Sequence, residues 1–451
     1  MADLLSASRE ELIQLIHQLM AEIELLQAQV AELQAQLAAK GPGTPPPFVK
    51  PNRKKPPAKK ARKPRAQGYA RPKDTPTQQV FHAYELCPHC QGPLGKPSVA
   101  YTRQIIDLPH MPVTVTEHVI YKRWCGHCQQ RVAPRVPLEH LAVGQHRIGI
   151  GLMSLIATLR ERLRLPIGAI QLYLATCHGL QLSQGEIVAV LHEVAQRGQP
   201  TYERLKQHLL AAPVVCADET GGRENGVNGY LWNFVTPTHQ YLLYRKSRGQ
   251  GVVAEVLGQD VRGVLVSDFY AAYNCYSGFH QRCWAHLLRD IHTLEETFAQ
   301  DRRVKRWAQG VKRLYQKAKG YPGPEAHLPP GLQEQQRIRQ EGRYKEKLRQ
   351  WCLPWVSAEA PMAVLCRRII KFLPELFTFL RFAGVPGTNN LAERTLRHSV
   401  VQRKISGGTR SEEGSTTKAI LGSLFGTWHL QGLNPLEQCR LLLADAPCQG
   451  V

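Results

Sequence analysis

The sequence predicts an α/β core between flanking helical segments, on three observations. Two β-branched runs, Val214-Val215-Cys216-Ala217 and Val261 to Val266, each lead into an aspartate, Asp218 and Asp268. A buried strand delivers a carboxylate to a sheet edge in this way. Between them lie two more strand-like runs, Tyr230 to Val235 and Gln240 to Tyr244, joined through the turn Thr236-Pro237-Thr238-His239, and a helical stretch at 250–258. Three strands in a meander, a crossover helix and a strand parallel to the first place strand one beside strand four.

From the N-terminus, Leu12, Leu19, Leu26 and Leu33 recur every seven residues, with Ile16, Ile23, Val30 and Leu37 between them. Mostly β-branched residues at a with leucine at d favour two parallel strands, so residues 1–40 are expected to form a coiled coil and, through 9–40, a homodimer. Residues 41–80 hold ten prolines and eleven Lys or Arg against the single Asp74. Such a composition supports no packed core and suits a solvated linker or sequence-independent contact with phosphate backbone.

Residues 81–140 carry the pairs Cys87-Pro88-His89-Cys90 and Cys125-Gly126-His127-Cys128. Four thiolates from Cys87, Cys90, Cys125 and Cys128 match a structural Zn²⁺ site, and Tyr101 to Ile106 with Val113 to Tyr121 read as strands of a zinc ribbon. The stretch 141–211 is helical throughout. Ile167 to Thr176 and Gln184 to Ala195 form a helical hairpin for which scaffold and helix-turn-helix DNA-binding uses both stand open.

The first part of the core occupies 212–286, a helical insertion 287–386, and the last core helices 387–451. Asp218 and Asp268 at neighbouring strand ends repel unless a cation lies between them, and an all-oxygen set suits Mg²⁺ or Mn²⁺. Glu393, at a helix start after the breaker Gly384-Val385-Pro386-Gly387, is the expected third ligand. Glu219 is left out because strand alternation turns it to the opposite face. Cys283 and His286 have ligand spacing, but with no evident second half-site a structural or DNA-positioning role is expected rather than a second zinc. In the insertion, Arg302 to Lys319 contains eight basic residues and no acidic one. These, with Arg302, Arg303, Lys305 and Arg306 foremost and Trp307 and Tyr315 interleaved along the stretch, suit a DNA clamp with base or sugar contacts to the aromatics; the bland alternative is a solvated basic face with the aromatics in the core. Arg394, Arg397, Arg403 and Lys404 flank Glu393 as candidate phosphate binders.

Asp218-Glu219-Thr220, Ser267-Asp268, Cys283-Trp284-Ala285-His286 and Asn389-Asn390-Leu391-Ala392-Glu393-Arg394, in that order, resemble the transposases of the insertion-sequence 66 family. The resemblance covers nearly the whole chain. It implies a ribonuclease-H-like catalytic domain with an Asp-Asp-Glu triad, Asp218, Asp268 and Glu393, and a zinc-binding domain upstream. The implied partners are terminal inverted repeats and target DNA, with small accessory proteins of the same element. Two ions about 3.5–4 Å apart on such a triad serve the attacking and the leaving oxygen of phosphoryl transfer. One departure is visible: Arg403-Lys404 is followed by Ile405-Ser406-Gly407-Gly408, where the family pattern continues with Asn-Trp.

The 451 residues allow more than one domain, and a formal net charge of +22 points to a polyanionic partner. No apolar run reaches the roughly 18 residues of a membrane span. With no basic-then-apolar start and Cys-x-x-C pairs among twelve cysteines, a cytoplasmic, nucleoid-associated location is expected.

Overall fold

A computed structural model describes residues 8–39, 73–108, 112–144, 146–258, 263–324 and 326–444. The chain divides into two units, Met1–Asp107 and Leu108–Val451. In the first, α1 (Arg9–Ala39) is one helix of 31 residues. Its heptad residues Ile16, Leu19, Ile23, Leu26 and Val30 are between 49% and 54% exposed, so the apolar seam is left open. The basic segment expected at 41–80 lies outside the described residues as far as 72. Around the first cysteine pair the Gln91 N–H donates to Cys87 O (2.8 Å) and the Cys87 N–H to Gly92 O (3.0 Å).

The second unit opens with the hairpin β1 (Arg123–Cys125) and β2 (Gln130–Val132) around the second cysteine pair. The ribbon strands expected at Tyr101 to Ile106 and Val113 to Tyr121 do not form among the described residues. Tyr101, Ile105, Ile106, Val115 and Tyr121 are all at least 65% exposed. An alternating apolar pattern becomes a strand only against a partner or a core, and these runs have neither.

Three helices follow: α2 (Ile150–Glu161), α3 (Ile167–His178) and α4 (Gln184–Ala211). Gly179, at φ +66°, ends α3, and Ser183 starts α4 through a capping box in which its hydroxyl accepts from the Glu186 N–H (3.1 Å). The second member of the expected hairpin therefore does not stop near Ala195 but runs on for 28 residues. Ile170, Leu174, Ile187, Val194, Leu205 and Leu209 bury into the same core as the sheet, which is what prolongs it.

The sheet contains β3 (Val214–Glu224), β4 (Val227–Val235) and β5 (Gln240–Arg245); then, after α5 (Gln250–Leu257), β6 (Val264–Ser267) and β7 (Phe279–Arg282). Its order is β5-β4-β3-β6-β7, with β3, β4 and β5 antiparallel and β6 and β7 parallel to β3. Strand one does lie beside strand four, as the meander and crossover require. The start of the second run, 261–262, lies outside the described residues.

The insertion comprises α6 (Trp284–Thr297), α7 (Arg302–Lys319), α8 (Pro330–Cys352), α9 (Ala363–Lys371) and α10 (Thr378–Arg381). They share a separate core built on Trp284, Trp307, Val311, Tyr315, Leu348 and Phe377. The chain then returns through α11 (Asn390–Ser406), α12 (Glu412–Leu430) and α13 (Pro435–Leu443). The Gly407-Gly408-Thr409 loop docks on the β3 end: the Thr409 N–H donates to Arg223 O (2.9 Å) and Asn225 N–H to Thr409 O (2.8 Å). A Cβ at Gly408 would collide with the Arg223 carbonyl, so this close approach needs glycine. No described helix is long and apolar enough to cross a membrane.

Candidate metal centre and nucleic-acid interface

Strand parity decides which face each acid takes. Val215 and Ala217 bury toward α4, α5 and α12, whereas Cys216 packs with Val264, Val266 and Ala392 on the face covered by α11. Asp218 therefore shares the α11 face with Cys216, and Asp268 follows the parity of Val264 and Val266. Glu219 takes the other face. There its carboxylate, 2% exposed, accepts from Arg248 Nη2 (2.7 Å) and from the Tyr273 hydroxyl.

Asp218 is half-buried, and its carboxyl is pushed up to about 7. Burial is the main cause; the charges of Glu219, Asp268 and Glu393 add to it, against one backbone N–H from Glu219 that lowers it. A carboxylate raised by desolvation and by two like charges from separate elements is what an all-oxygen site for hard divalent ions looks like before neutralisation. The all-oxygen chemistry of Asp218, Asp268 and Glu393 suits Mg²⁺ or Mn²⁺, but among the described residues their oxygens do not all come within 4.8 Å of one another.

Buried amides fix where Glu393 stands. Asn233, opposite Asp218 on β4, donates through Nδ2 to Ala392 O (3.1 Å) and Thr395 Oγ1 (2.9 Å), and its Oδ1 accepts from Gln240 (2.9 Å). Asn389 Nδ2 donates to Ala217 O (2.7 Å). The first turn of α11 is thus tied to β4 on one side and β3 on the other. Asp268 is held through its backbone: Arg282, 1% exposed, donates from Nη1 to Asp268 O (2.9 Å), from Nη2 to Asn274 Oδ1 (2.6 Å) and from Nε to Glu375. Sequence reasoning missed Asn233, Arg282 and Glu375, since a lone amide or ion-pair partner far along the chain carries no local signal.

Arg394 and Arg397 are exposed on α11 and line a cleft of about 430 Å³ with Arg162, Arg164, His398 and His429. Burial and the neighbouring Arg164 charge lower the Arg162 guanidinium, and Arg164 Nε is buried without an acceptor. Crowded guanidinium groups, which outnumber the one carboxyl in the cleft lining, Glu161, fit an anion such as a phosphodiester. The alternate arginines of Arg160-Glu161-Arg162-Leu163-Arg164 were the signal that sequence reasoning passed over. Arg403 donates to Thr220 Oγ1 (3.2 Å), and Lys404 is exposed.

On α7, Arg302, Arg303, Lys305 and Arg306 are exposed, while Trp307 and Tyr315 are 2% and 4% exposed and lie in the insertion core. The expected contact of these aromatics with DNA bases or sugars is therefore corrected: packing against the rest of the insertion turns them inward, and only the basic face is available.

The two cysteine pairs share one local design. Cys87 and Cys90 lie in the first unit and Cys125 and Cys128 in the second, each pair followed by a left-handed glutamine, Gln91 (φ 59°) or Gln129 (φ 53°). Hydrogen bonds from the His89 and Cys90 N–H groups lower the Cys87 thiol, and those from Cys128 and His127 lower Cys125. Each turn thus favours the thiolate of its first cysteine, Cys87 or Cys125, and sulfur donors of this kind suit Zn²⁺.

A family model described as "Transposase IS66 family" matches residues 145–417, and one described as "zinc-finger binding domain of transposase IS66" matches residues 85–129. The chain is also similar to "Uncharacterized protein y4hP" of Sinorhizobium fredii, 22% identical over 411 residues, covering 82% of this chain and 72% of that one.

Proposed function

The chain belongs to the IS66 family of transposases, and from that premise we propose that it cuts the ends of an insertion sequence and joins the freed 3′-hydroxyl to target DNA. What supports this reading most is that Asp218 on β3, Asp268 just past β6 and Glu393 on α11 lie near enough to interact: burial first, with the charges of Glu219, Asp268 and Glu393 adding to it, raises the Asp218 carboxyl to about 7. A meander, a crossover and parallel strands in the order β5-β4-β3-β6-β7 support a ribonuclease-H-like core.

Asp218, Asp268 and Glu393 would hold two divalent ions, which would supply Lewis-acid activation of the attacking oxygen and stabilisation of the leaving 3′-oxygen. The chain's own groups do the rest. Asn233 and Asn389 hold Glu393 against the strands, and Arg282 holds the Asp268 backbone. Arg394, Arg397, Arg162 and Arg164 bind the phosphate backbone leading to the acids, and Arg302, Arg303, Lys305 and Arg306 offer a second basic face. Arg403 and Lys404 extend the first. Zinc held by Cys87, Cys90, Cys125 and Cys128 shapes a DNA-reading module, and α1 pairs with a second copy so that two element ends are brought together. Accessory proteins of the same element and a nucleoid location complete this reading.

The test incubates purified protein and Mg²⁺ with labelled terminal-repeat DNA and a target plasmid. Joined products are expected, and Asp268→Asn abolishes cleavage and joining while DNA still shifts on a gel. Cleavage without joining identifies a nuclease or resolvase instead, and a metal-independent shift alone an inert DNA-binding protein. Joining retained by Asp268→Asn removes this site from the mechanism.

A further inference from the structure

Next to the three acids lies a second donor set. The Cys283 sulfur, a ring nitrogen of His286 and a carboxylate oxygen of Glu393 all fall within 4.8 Å of one another, the group of three or more potential ligands found so close among the described residues. Cys283 is fully buried at the start of α6; burial pushes its thiol up, and the Asn389 N–H that donates to its sulfur (3.1 Å) offsets this only in part. His286 Nδ1 stands 3.6 Å from Glu393 Oε1, beyond hydrogen-bond reach. Both atoms are shielded from solvent with no hydrogen-bond partner, as is Oδ1 of Asn389, a residue with no exposed surface in the same turn. A buried polar atom left unsatisfied is costly, and two of these, His286 Nδ1 and Glu393 Oε1, stand side by side. A bound cation satisfies the two ligand atoms at once.

The donor types choose the cation. Thiolate and imidazole beside one carboxylate are poor ligands for Mg²⁺ and good ones for zinc, which takes three protein ligands and keeps a fourth position open. We propose that Cys283, His286 and Glu393 form a site for a soft divalent ion of the zinc class, and that its occupancy withdraws Glu393 from the catalytic ions and so inhibits the enzyme. The binding stands on the donor set alone; the inhibition rests on the assignment of Glu393 made above.

Cobalt reports both parts, because thiolate ligation gives it an intense near-ultraviolet band. Titrated with Co²⁺, full-length wild type is expected to take up about two equivalents with that band, and Cys283→Ser about one. The double variant Cys87→Ser, Cys125→Ser keeps about one equivalent, lost on adding Cys283→Ser. Thermal melts establish that each variant is folded, and the comparison of wild type with Cys283→Ser stands if the ribbon variant is not. Equal uptake and band intensity in wild type and Cys283→Ser overturn the site. In the Mg²⁺ cleavage reaction, micromolar Zn²⁺ is expected to slow wild type about tenfold and Cys283→Ser, relative to its own zinc-free rate, less than about twofold. Equal inhibition of the two, or none, overturns the competition. If no preparation cleaves DNA, the functional reading fails while the cobalt titration still decides the site.

Discussion

At the residue scale, the acids depend on groups that make no contact with substrate. Asn233 is wholly buried, and Asn233→Ala leaves the Gln240 amide without its partner and removes one donor each from Ala392 O and Thr395 Oγ1. The expected cost is about 1–3 kcal/mol in a denaturant melt, with cleavage falling further than stability because the first turn of α11 loosens. His280 offers a pH test. Burial and the Arg282 charge hold its imidazole well below the usual range, and Glu375, 3.5 Å away, does not offset this because Arg282 already engages it. The unfolded chain protonates this histidine near pH 6.5 and the folded one does not, so stability is lost as pH falls below about 6.5. Between pH 7 and 5, wild type should lose up to about 2 kcal/mol more than His280→Gln. Parallel curves would mean that His280 is charged in the fold. Neither residue stands out in the sequence, because burial is what gives each its role.

At the element scale, the helices were legible and their faces were not. The span Arg302 to Lys319 matches α7, and its apolar residues sit at helical spacing. Yet Trp307 and Tyr315 face inward against Trp284 and α8, a choice that periodicity permits but does not make. Gly310 shows how closely these helices meet: a Cβ there would fall inside the Trp351 indole, whose Nε1 donates to Trp307 O (3.0 Å). Gly310→Ala should therefore destabilise by about 1–3 kcal/mol, although alanine is the better helix former. A gain in melting temperature would show that α7 and α8 separate readily. Arg282 links the insertion to the sheet end, and Arg282→Met should cost about 3–5 kcal/mol, since Glu375 and the Asp268 carbonyl lose a buried partner. The two strands expected in the ribbon failed for the complementary reason: alternation was present, and nothing covered it.

At the scale of the whole molecule, charge and the open seam of α1 imply assembly on a polyanion. Deleting residues 1–40 should convert a dimer to a monomer in light scattering, while leaving metal binding by the sheet acids intact; an unchanged mass would assign dimerisation elsewhere. Substituting Arg394 and Arg397 together by Ala should flatten the salt dependence of DNA binding by about two phosphate contacts, with little sequence preference in the loss.

The order of elements, the meander with its crossover, the cysteine pairs and the three acids were all written in the sequence, because periodicity, turn residues and ligand spacing are local properties. What the tertiary structure decided was company. It placed Glu393 across from Asp218 through two buried asparagines, and it brought Cys283 and His286 to the same carboxylate. It also gathered Arg162 and Arg164 beside Arg394. Each of these pairings joins residues over a hundred positions apart, and only packing of one element on another selects which distant side chains share a dielectric, a charge or a ligand.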